Sequence, residues 1–242
     1  MPPLNGQRIL VAGGAHRVGK AIALDLAHGG ADVVISYHSA VEDAAQTAAE
    51  IEVLGRRSGA HQADATQPAD MRALVDWAVD ILGGLDVYVH CPSGGFDPRP
   101  AAEIDEELWD SALDSTAKGF MFASQTAHRY MAAQGGGVVV AITDVAGIQA
   151  WPKFAAHCAA KAALIQLMKC LAADWGAEGI RVCGVAPGPV LMPKGERGSG
   201  EETVVGHIGS PEDVSRAVRF CIESDFLTGQ NVIVDGGRLL KQ

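Results

Sequence analysis

The sequence feature that most constrains this fold is a glycine-rich turn between an apolar run and a helix-like stretch. Residues 9–11 form the short apolar run that a buried parallel strand requires. Gly13, Gly14 and Gly19 follow, and the apolar positions within residues 18–27 have the spacing of a helix packed on a sheet. This order of strand, glycine turn and helix is the context in which such a motif binds a dinucleotide. A tight strand-to-helix turn that binds nothing is the alternative interpretation.

The glycines have a physical role in a dinucleotide site. Gly13 can adopt backbone angles that other residues avoid, and its missing side chain lets phosphate groups approach the main chain. The free N–H groups at the start of the following helix, together with the helix dipole, favour a pyrophosphate. The stretch therefore predicts an anion site where the first helix begins.

Composition limits the size of the fold and the kind of partner. The 242 residues suit one large α/β domain or two small ones, and the 48% hydrophobic content is enough for a substantial core. No apolar run reaches the ~18 residues of a membrane span, so no membrane association is expected. The formal net charge of -10 argues against nucleic acid, because neutralising phosphates needs a basic surface. We expect a small-molecule substrate as partner.

The cysteines and histidines show neither a disulfide framework nor a metal-binding pattern. The five cysteines are an odd number, are scattered along the chain and form no C-x-x-C pair. The eight histidines lack the spacing of metal ligands. We therefore expect no metal site, and, because no secretory signal is visible, a reducing cytoplasmic location.

Strand and helix candidates alternate along the chain without a linker or repeat. This alternation predicts an α/β, single-domain Rossmann fold over residues 1–242, a doubly wound parallel seven-stranded sheet with helices on both faces. The helical stretch 106–134 is expected to be interrupted near Gly119. The predicted strands are 9–11, 31–37, 58–64, 86–90, 138–143, 181–185 and 231–234, and the further helices are 40–54, 69–82, 153–175 and 211–224.

Chemically unusual residues fall at the ends of the predicted strands. Ligands of parallel α/β sheets bind beyond the carboxyl ends of the strands. The coincidence favours a dinucleotide site over a plain turn. The residues concerned are 13–17, His38, Asp64, 90–93, Asp144 and 187–188.

Five segments carry a family resemblance: AGGAHRVG at 12–19, the Asp64-Ala65 pair, H-x-x-x-K at 157–161, APGPV at 186–190 and TGQNVIVDGG at 228–237. Together they resemble the short-chain dehydrogenase/reductase family over essentially the full chain. The chain is most similar to the pteridine-reductase-like branch, which also carries arginine at the position of Arg17 and aspartate at that of Asp144. The resemblance implies a nicotinamide cofactor and a homotetramer built through residues 106–134 and 153–175.

The first motif and the second strand favour NADP(H) over NAD(H). Arg17 stands where the family usually has glycine, near a helix N-terminus where a guanidinium can bind a phosphate bidentately. The second strand ends in Ser36-Tyr37-His38-Ser39, without an acidic residue to bind a ribose 2′-hydroxyl. A solvated surface charge is the alternative for Arg17. By resemblance Asp64 contacts the adenine amino group, and a cap on the following helix is its alternative. The expected cofactor-binding residues are Gly13, His16, Arg17, Val18, Gly19, Tyr37, His38, Ser39, Asp64, Ala65, Cys91, Pro92, Ser93, Lys161, Pro187, Gly188 and Val190.

The expected catalytic set departs from the family pattern. The family typically uses an Asn, a Ser that orients the substrate carbonyl, a Tyr that donates a proton, and a Lys that binds the nicotinamide ribose. Here Lys161 is retained, whereas His157 occupies the Tyr position, Asp144 the Ser position and Thr116 the Asn position. Imidazole is a competent general acid or base, and Asp144 would orient it or relay its proton. An inactive descendant, with His157 merely filling the space, is the alternative.

These assignments predict an NADP(H)-dependent oxidoreductase that acts on a small carbonyl or imine substrate, heterocycles included. Phe96 and Trp151 are expected to form walls of the substrate pocket. The polar, glycine-rich segment 194–206 is expected to be a mobile substrate loop. Two alternatives remain, namely a lyase, dehydratase or isomerase that moves protons without hydride, and a catalytically inactive NADP-binding protein.

Overall fold

Seven parallel strands form one sheet in the part of the chain that the computed structural model describes, residues 4–190 and 201–241. In chain order the strands are Arg8–Ala12 (β1), Asp32–Tyr37 (β2), Ser58–Gln62 (β3), Val87–His90 (β4), Gly137–Ile142 (β5), Ile180–Pro187 (β6) and Asn231–Val234 (β7). They lie in the order β3-β2-β1-β4-β5-β6-β7, so the winding reverses between β1 and β4. The predicted α/β Rossmann fold with a parallel seven-stranded sheet is confirmed.

Helices cover both faces of this sheet, as parallel crossovers require. The helices are Arg17–His28 (α1), Val41–Val53 (α2), Pro68–Leu82 (α3), Glu106–Leu113 (α4), Gly119–Ala133 (α5), Ala155–Trp175 (α6) and Pro211–Glu223 (α7). Helices α1, α2 and α7 pack on one face, and α3, α5 and α6 pack on the other. No helix in the described ranges is long and apolar enough to cross a membrane.

The burial of β1 on both faces of the sheet explains why its sequence is a continuous apolar run. Ile9 and Val11 face the cluster under α1, whereas Leu10 and Ala12 face the cluster under α3 and α5. All four side chains are fully buried. Because successive side chains of a strand point to opposite faces, a strand covered on both faces needs apolar residues at every position.

The strand register brings the carboxyl ends of the central strands to one level. Ala12 of β1 lies opposite His90 of β4, and His90 in turn lies opposite Ala141 of β5. The segments that follow β1, β4 and β5 therefore leave the sheet side by side. This edge carries the candidate site.

The helical stretch 106–134 is interrupted where the sequence predicts it. A π-helical turn, Asp114–Lys118, separates α4 from α5, which begins at Gly119. A Cβ on Gly119 would lie only 2.4 Å from the Ala65 carbonyl oxygen, so a larger residue would push the helix away from this loop. The predicted break near Gly119 is confirmed, and π turns of this kind are frequent at functional sites.

The predicted substrate loop 194–206 falls only partly within the described residues. Residues 194–200 lie outside them. In the described part, the backbone N–H groups of Val204 and Val205 both donate to the Gly236 carbonyl, at 2.8 and 3.2 Å. These bonds attach the end of the segment to the chain that follows β7. The mobility of the loop stays a prediction.

Candidate active site

The turn between β1 and α1 has the geometry of an anion cradle. Gly13 has a φ of +72°, and Ser36 in β2 accepts its N–H at 3.1 Å and that of Gly14 at 3.0 Å. A Cβ on Gly19 would lie 2.0 Å from the Gly13 oxygen, so only glycine permits this approach. His16 makes no side-chain capping bond, and the first turn of α1 has no acidic residue. The uncapped N–H groups of α1 therefore fit a pyrophosphate.

Arg17 holds an unusual backbone angle in this cradle. Its φ is 53°, in the left-handed region that favours glycine, which is the residue the family usually has there. The backbone shape of a glycine is thus kept although the residue is arginine. His16, Arg17, His38 and Ser39 are all exposed at the ends of β1 and β2. Strained residues persist where their side chains serve a site, which agrees with a phosphate-binding role for Arg17.

Residues after β4 pack against the glycine turn, and those after β6 lie further along the same sheet edge. A Cβ on Gly13 would lie 3.3 Å from the Pro92 nitrogen and 3.5 Å from the Cys91 Cβ. Burial raises the pKa of the Cys91 thiol to about 12, so the group stays neutral. Gly188 donates its N–H to the Val234 carbonyl at 2.9 Å. The other predicted cofactor residues on this edge are Val18 at the start of α1, Tyr37 at the end of β2, Ser93 after β4, Pro187 at the end of β6 and Val190 beyond it.

Asp64 closes a turn before α3 and does not cap that helix, whose N-cap residue is Gln67. Its Oδ1 accepts the Thr66 N–H at 2.9 Å and the Thr66 hydroxyl at 2.8 Å, in the turn that leads into α3. Neighbouring Ala65 presents its carbonyl to α5 at Gly119. The contact of Asp64 with adenine, expected from the family, stays a prediction.

The structure brings three of the predicted catalytic residues together. His157 and Lys161 are four residues apart on α6 and therefore lie on one face of that helix. Asp144 follows β5, and its Oδ1 accepts the Ala146 N–H at 2.7 Å, which fixes the carboxylate. Its Oδ2 lies 3.4 Å from His157 Nε2. A carboxylate, an imidazole and a lysine thus meet at the carboxyl edge of the sheet.

Both ring nitrogens of His157 face hydrogen-bond acceptors. Nδ1 lies 3.5 Å from the Gly94 carbonyl oxygen, and Nε2 faces the Asp144 carboxylate. A neutral imidazole donates from one nitrogen, whereas an imidazolium donates from both. The ring is only 3% exposed, so these two acceptors, rather than water, are its hydrogen-bond partners. The arrangement suits a histidine that gives a proton, and catalytic contacts of this length often shorten when substrate binds.

Lys161 is a buried cation beside this pair. Its Nζ donates to the Ile142 carbonyl at 2.8 Å, which leaves two of its three N–H donors for a ligand. Burial lowers the pKa of Lys161 to about 8, and the negative charge of Asp144 opposes the shift. The amine is therefore mostly protonated at neutral pH.

Thr116 does not reach these three residues with its side chain. It lies in the π-helical turn, and its buried hydroxyl has no hydrogen-bond partner among the described residues. The structure thus places the fourth predicted catalytic residue close in the fold without a direct bond to His157. Its catalytic role stays a prediction.

His90 is a buried group near the site that the sequence analysis listed among the strand-end residues without assigning it a contact. Its Nδ1 lies 2.6 Å from the Tyr88 hydroxyl, and its ring meets Phe120 edge-on with centroids 5.5 Å apart. Burial lowers the pKa of His90 to about 3, and the positive charge of Lys161 acts in the same direction. The available signal was the spacing, because residues two apart on a strand share a face.

Three aromatic side chains, Phe96, Trp151 and Phe154, form what we call the aromatic wall. Phe96 meets the His157 ring edge-on at 5.2 Å between centroids and lies 4.8 Å from Phe154. Trp151 packs on Phe154 at 6.1 Å and makes no ring contact with His157. The predicted role of Phe96 and Trp151 as pocket walls is thus compatible with their positions. Phe154 was missed because the sequence predicts it within the helix 153–175, whereas α6 begins only at Ala155.

Within residues 4–190 and 201–241, no group of three or more histidine, cysteine or acidic side chains could hold a metal ion. The site instead combines an uncapped glycine cradle with the buried His157 and Lys161 and the half-buried Asp144, at the carboxyl edge of a parallel sheet. Fold and site together define a dinucleotide-binding protein of the Rossmann class.

Comparisons with known proteins identify the family within this class. The family model described as Enoyl-(Acyl carrier protein) reductase matches residues 13–238. The 3beta-hydroxysteroid dehydrogenase 1 of Eggerthella lenta is 30% identical over 98% of this chain and 95% of its own. A short chain dehydrogenase from Burkholderia cenocepacia J2315, solved in complex with NADP, has a TM-score of 0.93 at 32% identity, covering 98% of this chain and 99% of its own. The chain therefore belongs to the short-chain dehydrogenase/reductase family of oxidoreductases, as its motifs predict.

A further solved structure bears on the cofactor. A 7α-hydroxysteroid dehydrogenase, complexed with NADH and 7-oxo glycochenodeoxycholic acid, has a TM-score of 0.89 at 30% identity and covers 97% of this chain and 94% of its own. Relatives of this fold thus bind either nicotinamide cofactor. The choice between NADP(H) and NAD(H) has to come from side chains at the cradle.

Proposed function

We propose that this chain is an NADP(H)-dependent oxidoreductase that interconverts a small carbonyl or imine compound, heterocycles included, with its reduced form. The observation that carries the proposal is the meeting of Asp144, His157 and Lys161 at the sheet edge that also bears the glycine cradle. When bound, the cofactor supplies or accepts a hydride. Side chains of this protein would transfer the proton, orient the proton donor and bind the nicotinamide ribose.

His157 is assigned the proton transfer at the substrate oxygen or nitrogen. By resemblance it stands at the position of the family tyrosine, and acceptors at both ring nitrogens orient it to donate a proton. Imidazole is shorter than a phenol, so the substrate sits closer to α6 or a water bridges the gap. Asp144 orients the imidazole, Lys161 binds the nicotinamide ribose, and Thr116 completes the proposed set at the family's Asn position.

The preference for NADP(H) is proposed on the side chains around the cradle. Arg17 is exposed and strained where a 2′-phosphate would lie, with His16 and His38 nearby. The last residues of β2 and the two that follow it, 36–39, include no acidic side chain to bind a free 2′-hydroxyl. The placement in a pteridine-reductase-like branch rests on Arg17 together with Asp144.

A second candidate function uses the same pair without hydride transfer. Asp144 and His157 face each other as an acid–base pair, which is sufficient for a dehydratase, lyase or isomerase. The two functions differ in one readout. Substrate turnover without any change in nicotinamide absorbance would favour the second.

The proton-transfer role is tested by replacing His157. The purified protein is screened with NADPH against aldehydes, ketones and imines, and the best substrate is then given to His157→Ala and to the control His28→Ala, an exposed position. We expect His157→Ala to lower kcat by about 10²- to 10⁴-fold while NADPH affinity stays unchanged. Full turnover by His157→Ala would remove this residue from the mechanism, and binding of NADPH without any turnover would indicate an inactive descendant.

We also propose a homotetramer built through α4, α5 and α6. On α6 the small residues Ala155, Ala162 and Ala173 are exposed, which permits close packing of a second helix. Light scattering should then give four times the 25.2 kDa mass of one chain. All five cysteines are free thiols, which supports a reducing cytoplasmic location.

A further inference from the structure

Thr47 is a buried polar residue on α2 whose hydroxyl bonds to the glycine turn. It is 0% exposed, although threonine belongs to the residue types that are mostly exposed. A helical threonine can donate its hydroxyl to the preceding turn of its own helix, as Thr126 of α5 does to the Phe122 carbonyl at 3.1 Å. Thr47 instead donates to the Ala15 carbonyl at 2.9 Å, 32 residues earlier in the chain. The hydroxyl of Thr47 therefore joins α2 to the turn between β1 and α1.

The glycine turn is thus held from two neighbouring elements. The N–H groups of Gly13 and Gly14 donate to Ser36, which fixes the first half of the turn to β2. The Thr47 hydroxyl fixes the second half to α2, two residues before Arg17 with its φ of 53°. A strained conformation persists only where the surrounding structure supports it. The bond from Thr47 is part of that support.

The Thr47 bond also determines where the next backbone N–H points. All peptide bonds of the described residues are trans, and in a trans peptide the carbonyl and the N–H point in opposite directions. Because the Ala15 carbonyl points at Thr47, the N–H of His16 points away from α2. This N–H has no backbone acceptor within residues 4–190 and 201–241, and His16 is exposed. It is therefore available to an anion at the start of α1.

We propose that Thr47 is a positioning residue of the cofactor site: through the Ala15 carbonyl, its hydroxyl keeps the His16 N–H directed toward the phosphate groups of a bound dinucleotide. A donor that the protein already holds in position binds an anion more tightly, since less freedom is lost on binding. The inference rests on the proposed function, and it adds a residue of α2 that acts only through the turn.

The binding test replaces Thr47 with valine, which has nearly the same shape and no hydroxyl. For whichever of NADPH and NADH binds the wild type more tightly, we expect Thr47→Val to weaken binding about tenfold, because the donor is no longer held toward the charged phosphate. Thr47→Ser keeps the hydroxyl and should bind within about twofold of the wild type. Thr126→Val is the matched control, because it removes a buried threonine hydroxyl from α5, and it should leave the affinity unchanged.

Hydrogen exchange of the cofactor-free protein, followed by mass spectrometry, reports on the turn itself. We expect the amides of residues 13–17 to exchange about tenfold faster in Thr47→Val, and at the wild-type rate in Thr47→Ser and Thr126→Val. If the valine variant does not fold, Thr47→Cys takes its place, because a thiol is only a weak donor.

The two measurements separate this inference from the proposed function. Unchanged affinity and exchange in Thr47→Val, equal losses in Thr126→Val, or failure of Thr47→Ser to restore binding would overturn the role of Thr47. The proposed function fails separately, when the wild type binds neither NADPH nor NADH. Exchange of the free protein then still decides whether Thr47 holds the turn.

Discussion

Arg17 combines an unfavourable backbone angle with a proposed role in binding the cofactor phosphate. A non-glycine residue with a φ of 53° costs on the order of 1–3 kcal/mol, and this cost is kept at the mouth of the anion cradle. Binding of a ligand by the Arg17 side chain would offset this conformational cost. The phosphate of NADP(H) is the candidate.

Replacing Arg17 separates the backbone strain from the charge. Arg17→Gly removes both, so we expect a free energy of unfolding higher by about 1 kcal/mol and a loss of any preference for NADPH over NADH. Arg17→Ala removes the charge and keeps the strain, so it should lose the preference without gaining stability. Urea unfolding and cofactor titration measure the two effects. A glycine variant no more stable than the alanine variant would refute the strain argument.

His90 is a buried titratable residue whose lowered pKa makes the free energy of unfolding depend on pH. Its folded pKa is about 3, whereas the unfolded chain binds this proton near pH 6.5. Between these values the unfolded state holds more protons, so stability falls as the pH falls through this window. From pH 7 to pH 5 the loss is about 2 kcal/mol.

Comparison with a variant isolates this contribution. His90→Asn has no such group, so its free energy of unfolding should fall less than that of the wild type between pH 7 and pH 5. Urea unfolding at both pH values gives the difference. Parallel losses in the two proteins would show that His90 is not held neutral.

At the scale of elements, the glycine turn joins β1 to α1 and sets the distance between them. Gly19→Ala places a Cβ 2.0 Å from the Gly13 oxygen, so we expect a loss of several kcal/mol of stability and of nicotinamide binding. Gly176→Ala is the matched control, since its Cβ would meet nothing within 4 Å. Thermal unfolding and cofactor titration distinguish them. Equal behaviour of the two variants would show that the cradle tolerates a side chain.

The elements were predictable from the sequence because their signals are local. Alternating apolar runs and helical spacing predict each strand and helix of the described chain to within a few residues, and Gly119 indicates the break before α5. The π-helical form of that break has no sequence pattern that distinguishes it from an ordinary kink. Elements follow from periodicity, whereas their irregularities follow from tertiary contacts.

The site was predictable only in part, because its geometry depends on long-range contacts. The family motifs indicated Asp144, His157 and Lys161, but no spacing shows that Asp144 would lie 3.4 Å from His157. The bond between His90 and Tyr88, and the place of Phe154 in the aromatic wall, depend equally on packing. These contacts could be identified only in the folded structure.

At the scale of the whole molecule, the parallel sheet explains why the glycine turn and the proposed catalytic residues lie at one edge. The register places the ends of β1, β4 and β5 at one level, and the winding reverses between β1 and β4. A dinucleotide laid across that edge would extend from the Arg17 region to Lys161. The fold thus supplies the site, and the side chains on its loops determine the cofactor and the reaction.

The measurement that tests this account most directly is titration of the purified protein with NADPH and with NADH, followed by nicotinamide fluorescence. The account predicts saturable binding of NADPH with at least tenfold higher affinity than NADH, because the proposed contact of Arg17 with the 2′-phosphate is available only to NADPH. Equal affinities would contradict the assignment of Arg17. Binding of neither cofactor would contradict the proposed oxidoreductase function itself.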